Sequence, residues 1–298
     1  ANGQYSYPGG DVSLDRLRID FESGNRKKMV RLESEYFTLD YMSPSSYREV
    51  YDYIYNSLKT YVPLLYDNSS HITTDGGANN PNDYTAITFH AGDGVNELLD
   101  ALAGGLVIAP DTEMAIMFNP KSNNLSLQGS SEALEYSGII LANARWDINN
   151  KDSRDSLSVR VNSEGLYIGA RPLMPNLNLV GGARENRISV TAGFRQESDG
   201  SINNAAMLGL SAKFSRNPRT NRRSMHIDIA PSYFTTATQQ WRLFSRGIDI
   251  DSTHVSVREL RIARPDQQLI IDGVASRERS DSIRLTLDNF DISPPSAL

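Results

Sequence analysis

The chain has 298 residues, 39% of them apolar and 8% aromatic, with no cysteine and a net charge of −6. It is too apolar and aromatic for a disordered chain and long enough to bury a core. The missing cysteine excludes disulfide scaffolds, thiol nucleophiles, Cys-ligated zinc and iron–sulfur clusters, and the negative balance weighs against non-specific nucleic-acid binding.

No apolar run approaches the roughly 18–20 residues of a helical membrane span. The chain opens at Ala1 and closes on the strand-like Phe290-Asp-Ile-Ser-Pro-Pro, so it is expected to be an internal piece of something longer. Its N-terminal part alternates with period two: Val12 and Leu14, Ile19 and Phe21, Val30 and Leu32, then Phe37, Leu39 and Tyr41. That is the pattern of strands with one buried face. Between Pro44 and Val62 the spacing changes to three and four (Tyr47, Val50, Tyr51, Ile54, Leu58, Tyr61), which predicts an amphipathic helix. Ser46 and Glu49 form a capping-box pair at its start, and Pro63 stops it. Thr73 to Asp83 reads as a mobile polar loop. A shorter helix is predicted from Gly94 to Ala103 on Val95, Leu98, Leu99 and Leu102, ended by Gly104-Gly105. The domain organisation expected is 1–92, with the long helix and the loop, and 93–298, a strand-rich segment.

Period two then dominates. Leu157, Val159 and Val161 precede a hairpin-like break at Ser163-Glu-Gly, and Leu166 and Ile168 follow it. Ile188, Val190 and Phe194, then Leu208, Leu210 and Phe214, then Ile227 and Ile229, and finally Ile283, Leu285 and Leu287 continue the series. Gly181-Gly182 reads as a turn between runs. Parity predicts that each set projects to one side of its strand and that the sets share a concave face. With a dozen or more one-faced strands and two helices to cover them, the sheet must fold over, close, or bind something apolar.

Catalytic signatures are missing. His71, His90, His226 and His254 are scattered without ligand spacing, and no GxSxG elbow, Walker loop or GxGxxG occurs. Asp111 and Glu113 read as solvated turn residues. No cofactor, metal or enzymatic activity is expected. The basic run Arg216, Arg219, Arg222 and Arg223 reads first as a charged hairpin loop and second as a contact for lipid phosphate or nucleic acid.

Two stretches carry a family resemblance: GLVIAPDTEMAIMFNPKSNNLSLQGSSEALEYSGIILANARWDI, Gly105 to Ile148, and WRLFSRGIDIDSTHVSVRELRIARPDQQLIIDGVASRERSDSIRLTLDNFDIS, Trp241 to Ser293. From about Asp93 to Ser293 the chain resembles the TamB/AsmA-like envelope proteins of Bacteroidetes-type bacteria. The resemblance implies a curved, largely antiparallel sheet folded into an open U-shaped trough, in the periplasm, within an inner-membrane-anchored parent. It implies a role in phospholipid transport or outer-membrane protein assembly beside a BamA-type barrel. Acyl chains would then meet the alternating residues named above, and the four arginines would meet headgroups. A self-contained β-sandwich or barrel that binds carbohydrate or protein is the alternative, and an enzyme the third reading.

Overall fold

The computed structural model describes residues 3–7, 10–14, 16–24, 27–45, 47–65, 84–102, 104–119, 124–151, 153, 155–198, 201–216, 221–236, 239–277 and 281–289. The protein is mainly β, with 70% of the structure in strands and the helices few and short. The chain divides into two compact units, the first comprising 1–61 and 67–184 and the second 62–66 and 185–298. The division thus falls at residue 184. Residue 92, the expected boundary, lies inside the first unit.

The first unit begins with a hairpin of β1 (Gly3–Tyr7) and β2 (Gly10–Leu14). Its sheet takes β3 (Arg18–Ser23), β4 (Lys28–Glu33), β5 (Phe37–Ser43), β6 (Thr85–Ala91), β7 (Leu106–Ile108) and β8 (Glu113–Asn119). The longer β9 (Asn124–Tyr136), β10 (Ile139–Asn149), β11 (Leu157–Ile168) and β12 (Arg171–Arg184) complete it. Every pairing is antiparallel, in the order β3-β4-β5-β6-β8-β9-β10-β11-β12, with β7 also on β9.

Two helices cover one face of this sheet. α1 (Tyr47–Tyr61) packs Val50 and Ile54 onto Val30, Leu32, Leu39, Tyr41 and Ile87. α2 (Val95–Leu102) sets Val95 and Leu99 against Phe89, Ala91, Leu106, Ile108 and Leu134. Ile87 and Ala91 have the same parity in β6, so both helices lie on one side. Each fully buried aliphatic side chain there contributes about 1.5–3 kcal/mol. The chain enters α2 through Gly92, whose N–H donates to the Tyr36 carbonyl at 2.8 Å; a Cβ at Gly92 would collide with the Glu35 carbonyl. Val50, Ile54 and Tyr61 of the predicted stripe turn inward in α1, Tyr51 is exposed, and the side chains of Tyr47 and Leu58 lie outside the described residues. Ser46 and the loop 73–83 lie outside the described residues, as does the side chain of Glu49.

The C-terminus of α1 is pinned by a buried polar contact. The Tyr61 hydroxyl accepts from Asn150 Nδ2 at 2.7 Å, and Asn150 Oδ1 accepts from the Leu125 N–H at 2.7 Å. Tyr61 is 1% exposed and Asn150 2%. Burial is the main cause that raises the Tyr61 pKa; the Asn150 hydrogen bond opposes it.

The second unit opens with a single 3-10 turn (Pro63–Leu65), where the Leu64 N–H donates to Asn186 Oδ1 at 2.8 Å. Its strands are β13 (Arg187–Ser198), β14 (Ser201–Arg216), β15 (Arg223–Ile229), β16 (Ser232–Thr236) and β17 (Gln239–Phe244). β18 (Ile248–Asp251), β19 (His254–Arg264), β20 (Gln267–Ser276) and β21 (Ile283–Asp288) follow. β14 pairs with β13 on one side and with both β15 and β16 on the other. β15 continues to β18 and β16 to β17, and these two meet again on β19, followed by β20 and β21. Two long strands thus bracket two short pairs laid end to end.

Two readings of the sequence are corrected here. Ser163-Glu-Gly is no hairpin break: β11 runs through it. Gly181-Gly182 is no turn either. It lies inside β12, opposite Val159 and Ser158, and a Cβ on Gly182 would come 2.7 Å from the Leu157 carbonyl oxygen. The chain turns instead at Glu185 and Asn186, with φ of 50° and 61°.

Candidate functional site

Directly opposed residues of an antiparallel pair share a face, so the registers locate each apolar side chain. In the second unit Ile188, Ala212, Ile227, Ile248 and Val257 form one continuous rung. Val190, Leu210 and Ile229 form the next, and Phe194, Ala206, Phe234 and Trp241 another. Phe214 faces Met225, and Leu208 faces Ala192. Leu243, Ile262, Leu269 and Leu287 carry the face to the last strand, where Leu285 lies beside Ile271 and Ile283 beside Gly273.

This apolar ladder is only partly covered. Among the described residues of the second unit's sheet, the buried apolar set contains only Ala206. Leu210, Ile283, Leu285 and Leu287 are 43–58% exposed, and Ile188, Val190, Phe194, Leu208, Phe214, Ile227 and Ile229 are half-buried.

In the first unit Leu157, Val159 and Val161 continue the helix-covered face of the sheet: Ile87 opposes Ile116, Ile116 opposes Leu127, Leu127 opposes Ile148, and Ile148 opposes Val159. Leu166 reaches the same face through Leu141 and Leu134, and Ile168 follows at the strand end, 55% exposed. Arg216 and Arg223 are opposed in the last rung between β14 and β15, and Arg222 is exposed just before β15. Arg219 lies outside the described residues.

Both sheets keep apolar side chains on one face by changing the phase of their alternation partway along. In β9 the face passes from Leu127 and Ser131 to Leu134, and in β11 from Val161 and Ser163 to Leu166. Asn143 in β10 and Asn176 in β12, with φ of 46° and 53°, sit in the same band. Buried hydroxyls satisfy the backbone there. Thr112 Oγ1 donates to the Ala109 carbonyl at 2.6 Å and lies 2.7 Å from Ser131 Oγ, which donates to the Ala133 carbonyl. Ser163 Oγ donates to the Ala142 carbonyl at 2.6 Å and accepts from the Gly165 N–H at 3.1 Å.

The second unit does this with an added residue in neighbouring strands, at Pro231, near Arg246 and at Arg258-Glu259. Ser232 Oγ accepts from the Gly209 N–H at 2.9 Å, and Ser245 Oγ accepts from the Gly247 N–H at 3.0 Å. Glu259, with φ of 45°, donates its N–H to Asp272 Oδ1 at 3.0 Å.

Charges occupy the opposite faces. In the second unit His226 lies between Asp249, 2.6 Å from Nδ1, and Asp228, 3.0 Å from Nε2; Arg258 pairs with Asp249 at 2.9 Å. The Asp249 hydrogen bond is the main cause that raises the His226 pKa. Asp251 is lowered to about 2, chiefly by the Thr253 hydroxyl. In the first unit His90 sits 3.2 Å from Asp111 and 3.6 Å from Glu113, so the two carboxylates of the expected turn meet one imidazole on an open surface. Nearby a polar furrow of about 790 Å³ follows the phase-change band past Glu132, Asn143, Arg145 and Glu164. Among the described residues no cluster of three or more His, Asp or Glu is placed to hold a metal ion, and no helix is long and apolar enough to cross a membrane.

Sequence reasoning missed the aromatic and cationic end of the second unit's ladder. Phe234 and Trp241 stack with centroids 6.1 Å apart, and the Arg264 guanidinium lies 5.0 Å over the Trp241 ring. Trp241 lies in β17, and its partner arginine is set by the register between β17 and β19. Compared with protein-family models, curated proteins and solved structures, the chain matches none.

Proposed function

We propose that the chain is a non-catalytic, lipid-facing β-sheet segment of a TamB/AsmA-like periplasmic protein, lining part of an apolar route for phospholipid acyl chains that serves outer-membrane assembly. The observation that carries this reading is the second unit's ladder: rung after rung of Ile, Val, Leu and Phe on one face, with no large side chain fully buried among the described residues of that sheet. A self-contained sandwich would bury those side chains at interior density. An apolar face of this extent is a binding surface or an aggregation hazard, and the charged opposite face supplies solubility.

Native mass spectrometry of the protein purified from cells tests the proposal directly: acyl lipid should accompany it. Val190→Arg sharpens the test. On a lipid-lined face the guanidinium reaches water along its aliphatic stem, so the melting temperature falls modestly while co-purified lipid is lost. In a filled core the unpaired charge unfolds the unit. A folded variant with its full lipid load would overturn the proposal.

A further inference from the structure

We propose that Arg264, set over the Trp241 ring at one end of the second unit's apolar ladder, holds the phosphate of an amphiphile whose hydrocarbon tail lies along that ladder. The inference rests on the lipid-facing reading above and names the group that would anchor the head. Its basis is the distribution of charge. Arg264 follows Leu260 and Ile262 in the parity of β19, so it emerges on the apolar face. Asp228, Asp249, Asp272 and Asp288 all fall on the other side of their strands, next to Ile227, Ile248, Ile271 and Leu287. The apolar face therefore meets a cation at this end and no carboxylate along these strands.

The side chain is built in. It is 14% exposed, its guanidinium carbon lies 5.0 Å over the Trp241 ring, and Trp241 stacks on Phe234. Nε is buried and makes no hydrogen bond; the nearest acid, Asp266, lies 3.2 Å from it but is itself 72% exposed on the turn. A guanidinium set over an indole still offers its terminal Nη N–H groups to an oxyanion, and phosphate accepts two of them at once. The indole and phenyl rings take the first methylenes of the tail. From the rung of Ala206 to that of Phe214 the ladder then runs on for about 27 Å at the usual strand rise.

The test is calorimetric titration of the full chain with dodecyl phosphate, dodecanoate and uncharged dodecyl maltoside, each below its micellar concentration. Dodecyl phosphate should bind at least about tenfold more tightly than the maltoside. Arg264→Gln should erase that preference and leave maltoside affinity within about twofold. Asp266→Asn, at an exposed position that leaves the fold alone, should tighten phosphate binding about two- to threefold by removing the competing carboxylate. A phosphate preference that survives Arg264→Gln, or an Asp266→Asn variant with unchanged affinity, overturns the assignment and leaves the lipid-facing reading standing. Dodecanoate bound as tightly as the phosphate overturns the choice of head. If none of the three binds, the lipid-facing reading falls as well.

Discussion

The two units solve one problem differently. Each is a sheet with an apolar face, but the first lays α1 and α2 on its face and buries Val30, Tyr41, Ala91, Val95 and Ile108 beneath them. Among the described residues the second has no such helix, and Ala206 is the one apolar side chain buried in its sheet. The same period-two pattern is therefore fully buried where a helix lies on it and only partly buried elsewhere. What separates them is whether a 3.6-period segment is available to cover the strands.

The largest effect should come from charging the covered face. Val95→Asp puts a carboxylate among Ala91, Leu99 and Ile108 where the side chain is 1% exposed, and should cost on the order of 4 kcal/mol or more. Loss of the cooperative thermal transition checks it, and the contrast with the modest shift expected for Val190→Arg measures the difference between the units. Next, Tyr61→Phe should cost about 1–2 kcal/mol in denaturant titrations, because it leaves the buried Asn150 amide short of an acceptor. A comparable or smaller change is expected where the side chain is only partly buried: Ile227→Ala should cost about 1–2 kcal/mol, because part of its surface stays in contact with water. A cost of 3 kcal/mol or so there would show the face to be a filled core and erase the distinction.

The smallest effect is a pH dependence of the second unit. The folded pKa of His226 is raised above its ordinary 6.5, so its stabilisation is complete below that pH and is lost as pH rises through the folded value. Melting temperatures between about pH 6 and about pH 8.5 should fall for the wild type more than for His226→Gln.

Much of this architecture is legible in the residues. Alternation marks the strands, and the spacing of Val50, Ile54 and Tyr61 marks α1, because burial of one face imposes those periods directly. The phase changes are also written in the sequence, where Val161 gives way to Leu166 and Val257 to Leu260. Alone they are ambiguous, since a turn and a one-residue irregularity inside a strand shift parity alike. Ser163-Glu-Gly reads as a break for that reason, and only the partner strands decide. The Arg264–Trp241 contact is invisible in sequence because it depends on register between strands that no local pattern fixes.

The phase-change band also constrains how the sequence can vary. Removing Glu164 alone would put Val161 and Leu166 an even number of positions apart, so that an uninterrupted alternation would hold them on one side without the band. The neighbouring strands would keep theirs, at Asn143 and Asn176, and the Ser163 hydroxyl would lose its place between Ala142 and Gly165. Length changes at these positions are thus coupled across strands distant in sequence. Insertions and deletions in β9 to β12 should be inherited together or not at all, whereas the turns between those strands can vary one by one.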